Sequence, residues 1–277
     1  MNSERYYGLE AKELPSGRAS ELIESISLKG FAVLSGVIDS DSLQFYREAI
    51  DAVYLQQRGN FEDGYLDTIN DSDVCRAPCL YDASFLELAG NQSILAIVRA
   101  LLGNEFILHL QNAIINRPTR DHQQRSWHRD LPHQNYTTSK PLAINALYVI
   151  DEFSEKTGAT EVIPHSHKFD SLPSSAYVAE NSLKVAAAPG SVILFDSMMI
   201  HRAGLNCSRT PRRAINHVYS IPILKQQYDF PCALRENQDI GGEMRKLLGF
   251  SYAVPLDDVQ WRLGRKVLNG ENGHGSE

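Results

Sequence analysis

Residues 127–135 read WHRDLPHQN, and this stretch concentrates the side chains with the most chemical reach. Two readings compete for it. His-Arg-Asp-Leu, three residues and Asn spell the catalytic loop of a protein kinase. His128 and Asp130 also form a His-x-Asp pair. On a strand, residues i and i+2 point the same way, so both would face one interior while Arg129 faces out. Two imidazoles and one carboxylate on one face of an iron(II) ion leave its other positions open for a chelating co-substrate and O2.

The kinase reading fails on its missing parts. A kinase needs a Gly-rich loop, a strand lysine, a DFG aspartate and an APE segment. The glycines before residue 127 stand at 8, 17, 30, 36, 59, 64, 90 and 103, and no G-x-G-x-x-G arises among them. Neither DFG nor APE occurs after Asn135. The chain beyond Asn135 continues in β-type segments, where a kinase would continue in helices.

The metal reading needs a third donor from a distant strand. His201 is the best placed, because it comes directly after GSVILFDSMMI, a β-type segment opened by Pro189-Gly190. The next apolar segment, RRAINHVYSI, opens with Arg212. An arginine aimed into a barrel costs heavily unless it meets an anion. Its planar fork suits the distal carboxylate of a dicarboxylate co-substrate.

These residues must be held by the elements around them. Residues 20–30 carry Leu22, Ile23 and Ile26 at helical spacing and stop at Gly30. Residues 31–38 read as a buried strand, and 39–57 as a capped helix with Leu43, Tyr46, Ile50, Val53 and Tyr54 on one face. Residues 58–80 read as a polar loop suited to a lid, and 82–102 as two more helices. From 106 the texture changes to short apolar segments separated by polar or Gly/Pro breaks, which suggests a barrel or jelly roll.

Composition narrows the function classes. The 277 residues are 43% hydrophobic and 22% charged, with a net charge of −7, an ordinary globular balance. An acidic chain argues against nucleic acid or an anionic membrane as a general partner and leaves a small-molecule substrate as the expected one. No apolar run approaches the roughly 18 residues of a membrane span, and the N-terminus lacks the pattern of a signal peptide, so a cytoplasmic location is expected. The four cysteines are too few for a disulfide scaffold, and the C-x3-C pair Cys75 and Cys79 lacks two further zinc ligands nearby.

The ordered set WHRDL, TGATEVIPHSHK, PGSVILFDSMMIHRAGLN and RTPRRAINHVY resembles the phytanoyl-CoA dioxygenase family of iron(II)- and 2-oxoglutarate-dependent oxygenases. The resemblance covers roughly residues 19–222. It implies a mainly β fold, a double-stranded β-helix of the jelly-roll or cupin kind with N-terminal helices packed on it. With no internal repeat and no low-complexity linker, the chain reads as one domain across 1–277: a helical part at about 19–104, the β-helix core at about 105–222, and a C-terminal extension at 223–277 whose polar, glycine-rich tail is expected to fray.

The family's metal ligands fall on His128, Asp130 and His201, and its 2-oxoglutarate arginine on Arg212. The implied cofactors are Fe(II), 2-oxoglutarate and O2. The resemblance also implies an inward Gln111 touching 2-oxoglutarate; a surface glutamine is the alternative. Asn145, inside an apolar strand, must find polar partners, of which the co-substrate is one. His133 lines the mouth or lies on a surface loop. Trp127 is expected to pack on the opposite face, His167 to stabilise a turn, and Arg213 to face solvent.

Two motifs depart from the family. Its His-Gly-Ser-Gly is His201-Arg202-Ala203-Gly204 here, which removes a serine donor for the co-substrate. Its Pro-Gly-Ser-His turn is Pro164-His165-Ser166-His167. Because the halogenases that resemble this family lose the carboxylate and Asp130 retains it, hydroxylation is the expected chemistry; with no basic cluster suited to the CoA phosphates, a small polar metabolite is the expected substrate. Desaturation, cyclisation, an acyl-CoA substrate, or a metal-binding barrel without oxygenase activity are the alternatives.

Overall fold

The computed structural model describes residues 17–119, 123–132, 134–237 and 239–263. The chain divides into two compact units, 1–228 and 229–277, where the sequence reading expects one domain with an extension from 223. The smaller unit contains two short helices, Phe230–Ala233 and Gly242–Leu247.

The first unit opens with helix α1 (Arg18–Lys29), strand β1 (Phe31–Leu34) and helix α2 (Ser40–Arg58). Gly30 ends α1 in the left-handed conformation, its N–H donating to the Ile26 carbonyl at 3.0 Å. Asp39 caps α2 by accepting from the Asp41 and Ser42 amides at 3.0 and 2.9 Å. Helices α4 (Ser84–Ala89) and α5 (Gln92–Leu102) come after the short helix α3 (Tyr65–Thr68). The apolar stripe of α2 is buried as its spacing predicts.

The strands form two antiparallel sheets. The larger contains β1, β2 (Val74–Arg76), β3 (Ile107–Asn116), β4 (Ala143–Val149), β7 (Val192–Asp196) and β9 (Arg212–Ser220), in the order β1-β7-β4-β9-β3-β2. The smaller contains β5 (Glu161–Val162), β6 (Leu183–Lys184) and β8 (His201–Arg202), in the order β6-β5-β8. Helix α6 (Ser175–Asn181) lies between β5 and β6 in the chain.

Two expectations need correction. Residues 58–80 are not all loop: β2 pairs with β3 and closes one edge of the large sheet. Helical residues outnumber strand residues among those described, so "mainly β" understates the helices. Only β3, β4 and β9 are long strands, and irregular turns carry much of the chain between the others.

Register decides which residues can share a site. In β9, Arg212, Ala214 and Asn216 alternate with Arg213, Ile215 and His217. On β3, Asn112 and Ile114 pair with Asn216 and Ala214, while Gln111 pairs with His217. A bulge between Leu108 and Leu110 sets this phase. Outside the sheet, Arg213 meets Asp51 of α2 at 2.7 Å and Asp151 at 3.1 Å. Arg47 meets Asp151 at 2.6 Å, so α2 is tied to the sheet through ion pairs. Arg213 is therefore engaged with carboxylates, where sequence alone suggests a solvated residue. No helix among the described residues is long and apolar enough to cross a membrane.

Candidate metal and co-substrate site

His128 and His201 face each other across an isolated antiparallel bridge, their backbone N–H groups each donating to the other's carbonyl at 3.0 Å. Asp130 joins them two residues on. Its Oδ1 lies 3.5 Å from His128 Nε2 and 3.6 Å from His201 Nε2. One ligand atom from each of the three lies within 4.8 Å of the others, which is room for one ion.

Both imidazoles are turned by their other nitrogens. His128 Nδ1 meets the Ser126 carbonyl at 2.7 Å and His201 Nδ1 meets the Met199 carbonyl at 3.0 Å. A carbonyl can only accept, so Nδ1 carries the proton and Nε2 offers its lone pair to the shared space. The buried His128 Nε2 has no hydrogen-bond partner among the described residues, an orphaned donor atom that an ion would satisfy. Burial pushes His201 down to about 4, Asp130 opposing. Burial would lower His128 too, but its contact with Asp130 raises it overall. Burial likewise works against the Asp130 carboxylate, yet the two histidines and Asn145 hold its pKa well below the usual range.

Asp130 is held from behind. Asn145 Nδ2 donates to its Oδ2, as does Asn216 Nδ2 at 3.2 Å. Asn145 also donates to Asn216 Oδ1 at 3.1 Å, and Ser197 donates its hydroxyl to Asn145 Oδ1. Asn145 is thus buried at the site as expected from its apolar strand, but its partners are Asp130, Asn216 and Ser197. Sequence reasoning misses Asn216 and Ser197. Two-residue alternation from Arg212 leads to Asn216, so a signal exists for it; nothing local marks Ser197.

Arg212 is 3% exposed. Among the described residues its Nε has no hydrogen-bond partner, and no carboxylate makes an ion pair with it. Burial pushes its pKa down to about 9, Asp151 opposing, so it remains a cation at neutral pH. Its guanidinium lies 4.0 Å from the centre of the Phe153 ring. Arg212 shares a cavity with Asp130, His201, Thr160, Ala203 and Asn216. Among the described residues it is thus a buried cation without an ion-pair partner, beside a three-donor cluster, an arrangement that an anion would stabilise.

Other expected residues lie elsewhere. Gln111 is fully buried on the opposite face of β3, accepting from the Cys79 amide at 2.9 Å and donating to the Phe85 carbonyl at 2.8 Å. Its nitrogen also meets His217 Nε2 at 2.6 Å. The strand's alternation turns it toward the helices, which corrects the expected contact with the co-substrate. His133 lies outside the described residues. Arg129 points away from the triad but not into solvent. It is 4% exposed and donates to the carbonyls of Met198, at 2.7 Å, and of Gln134, Ser166 and Phe169. Trp127 packs under Arg202, 4.4 Å from its ring centre.

His167 is buried in a 3-10 turn at 166–168, with Nε2 3.3 Å from the Ser27 carbonyl. His165, in the family's glycine position, adopts φ +66°. The strain is offset by two contacts: its amide donates to the Lys29 carbonyl at 2.8 Å, and its Nδ1 meets the Leu28 carbonyl at 2.7 Å. Gly204 keeps the family's residue because a Cβ there would lie 2.5 Å from the Ala159 carbonyl.

Comparison with known proteins places this geometry. An uncharacterized protein of Mycobacterium tuberculosis is 36% identical over 216 residues, 76% of this chain and 78% of that protein. The dioxygenase cdmD of Talaromyces verruculosus is 22% identical over 224 residues, 71% of this chain and 72% of that one. In three dimensions the chain is similar to EctD from S. alaskensis, solved with 2-oxoglutarate and 5-hydroxyectoine. The TM-score is 0.60 at 20% identity, covering 78% of this chain and 79% of that one. The sequence model of the phytanoyl-CoA dioxygenase family matches residues 26–214, the span that contains the His-Asp-His cluster and Arg212, and the chain belongs to that family.

Proposed function

We propose that this protein is an iron(II)- and 2-oxoglutarate-dependent dioxygenase that hydroxylates an unactivated C–H bond of a small polar molecule, with succinate and CO2 as co-products. The observation that carries the reading is Arg212: a buried guanidinium with no ion-pair partner among the described residues, in one cavity with Asp130 and His201. The family, the dioxygenase names of relatives and the 2-oxoglutarate in the EctD structure support it. We read the two sheets as a double-stranded β-helix, with the fold likeness to EctD in support.

The residues divide the work. His128, Asp130 and His201 would hold the ion through Nε2, Oδ1 and Nε2. Two imidazoles and a carboxylate leave positions open, as iron(II) oxygenases require. The bound iron, with 2-oxoglutarate and O2, supplies the oxidant for C–H hydroxylation. Asn145 and Asn216 retain the Asp130 Oδ2, so that one oxygen faces the ion. Arg212 anchors the distal carboxylate of 2-oxoglutarate as a charge-assisted pair, with Phe153 behind it. Thr160 lines the same cavity and serves as the hydroxyl donor that the family's serine supplies where this chain has Ala203.

The test is an anaerobic visible spectrum of the protein with iron(II) and 2-oxoglutarate. A weak charge-transfer band is expected. His201→Ala abolishes it. Arg212→Ala raises the concentration of 2-oxoglutarate needed to develop it by about ten- to hundred-fold, the worth of a charge-assisted pair. Absence of the band from folded, iron-loaded wild-type protein overturns the reading.

A further inference from the structure

The space around Asp130 has two compartments. Asp130, Asn216, Gln124 and Ile114 line both. One contains His201 and Arg212, and the 2-oxoglutarate reading occupies it. The other contains His128, Arg76, Asn112, Leu110 and Gln227, and presents mostly polar surface.

Its chemistry is set by two arginines that already have partners. Arg76 donates from Nε to Asp71 Oδ2 at 3.2 Å and from Nη2 to Asp71 Oδ1. With its carboxamide turned to suit its neighbours, Asn112 accepts from Arg76 Nη1 at 3.2 Å and donates to Tyr228 Oη at 3.1 Å. Arg129 is committed to backbone carbonyls. An anionic substrate would therefore have to compete with Asp71 for Arg76, giving up one charge-assisted pair to gain another. An acyl chain would bury Arg76, Asn112 and Gln124 against hydrocarbon, leaving polar groups desolvated. A neutral molecule with hydroxyl or amide groups incurs neither cost. The Asn112 amide is used by Tyr228 Oη and the Gln111 carbonyl, but its oxygen keeps a lone pair for a hydroxyl or amide N–H of such a molecule, Gln227 lines the wall beside it, and the carbon skeleton rests on Leu110 and Ile114.

Resting on the dioxygenase reading, we infer that this second compartment binds the substrate, that the substrate is an uncharged molecule rich in hydroxyl or amide groups, and that Asn112 and Arg76 set its specificity.

The experiment measures succinate release by the iron-loaded enzyme with 2-oxoglutarate in air, with single additions from two sets. The neutral set is myo-inositol, maltotriose, N-acetylglucosamine and a cyclic dipeptide. The other set is glucose 6-phosphate, decanoate and decanoyl-CoA. At least one neutral compound is expected to raise turnover ten-fold or more over no addition. Asn112→Leu and Arg76→Gln are expected to raise its KM at least ten-fold, with folding checked by melting temperature. The inference is overturned if only the anionic or acyl compounds stimulate, if no neutral compound does, or if both variants leave the KM unchanged. Failure of the parent reading looks different: the anaerobic band itself is then missing from the wild type.

Discussion

Asp130 presents one oxygen to the two imidazoles and yields the other to two carboxamides. On the dioxygenase reading that division matters, because a free carboxylate could rotate or bind the ion through both oxygens and so take up a position that O2 or the co-substrate would need. Outer contacts of this kind typically govern metal affinity by 10- to 100-fold. Asn216→Leu and Asn145→Leu are accordingly expected to weaken iron(II) binding by about that factor, measured by metal titration of the apo protein. The cobalt(II) absorption spectrum is expected to change in shape as the carboxylate reorients. An unchanged affinity and spectrum in both variants would remove the positioning role. Arg212 and Arg213 show the force of position by contrast. They are neighbours in sequence, yet one is buried with no ion-pair partner among the described residues and the other bonds Asp51 and Asp151, because a strand turns alternate residues to opposite faces.

At the scale of elements, the site depends on turns that let strands approach closely. Gly190, just before β7, has φ +82° and would place a Cβ 2.3 Å from the Ile38 carbonyl. Its own carbonyl accepts from Val37 and Ile38 at 2.8 and 3.0 Å, docking the chain after β1 against the start of β7. Gly190→Ala therefore meets both a disfavoured backbone and a clash with backbone atoms. It is expected to cost about 2 kcal/mol or more, seen as a fall in melting temperature of several degrees. Gly241→Ala is the control, since nothing lies within 4 Å of a Cβ there, and a change of about 0.5 kcal/mol or less is expected. Equal effects from the two would show that the close approach at Gly190 is unimportant.

Across the molecule, buried titratable groups couple stability to pH. Burial lowers His167 to about 4 and His217 to about 3. Each binds its proton more readily unfolded, so the unfolded chain carries more protons between about 4 and 6.5, and stability falls as the pH is lowered through that window. Asp196 acts in the opposite sense: burial raises it to about 6, so its contribution falls as the pH rises between about 4 and 6. The raw slope mixes these effects, and the variant difference separates them. His167→Gln is expected to be less sensitive than wild type to lowering the pH from 7 to 5, by on the order of 1–2 kcal/mol, in denaturant unfolding measured at both values. Parallel pH dependence in the two proteins would show that His167 does not titrate as its burial implies.

That His128, Asp130 and His201 come together and that Arg212 is buried were legible in the sequence because two constraints act locally: a strand's period of two puts His128 and Asp130 on one side, and an arginine opening an apolar strand sits among buried neighbours. The helices at 18–29 and 40–58 were legible from apolar spacing and capping residues. The tertiary structure decided everything that depends on register and on partners distant in the chain. The bulge in β3 turned Gln111 to the helices and Asn112 to the site. The pairing of β4 with β9 brought Asn145 to Asn216, and so made both carboxamides supports for Asp130. Arg129 was buried by carbonyls supplied from residues 134, 166, 169 and 198, which no local pattern announces. Residue type and period determine what a side chain can do; only the closed fold determines which groups, brought from far along the chain, it does it with.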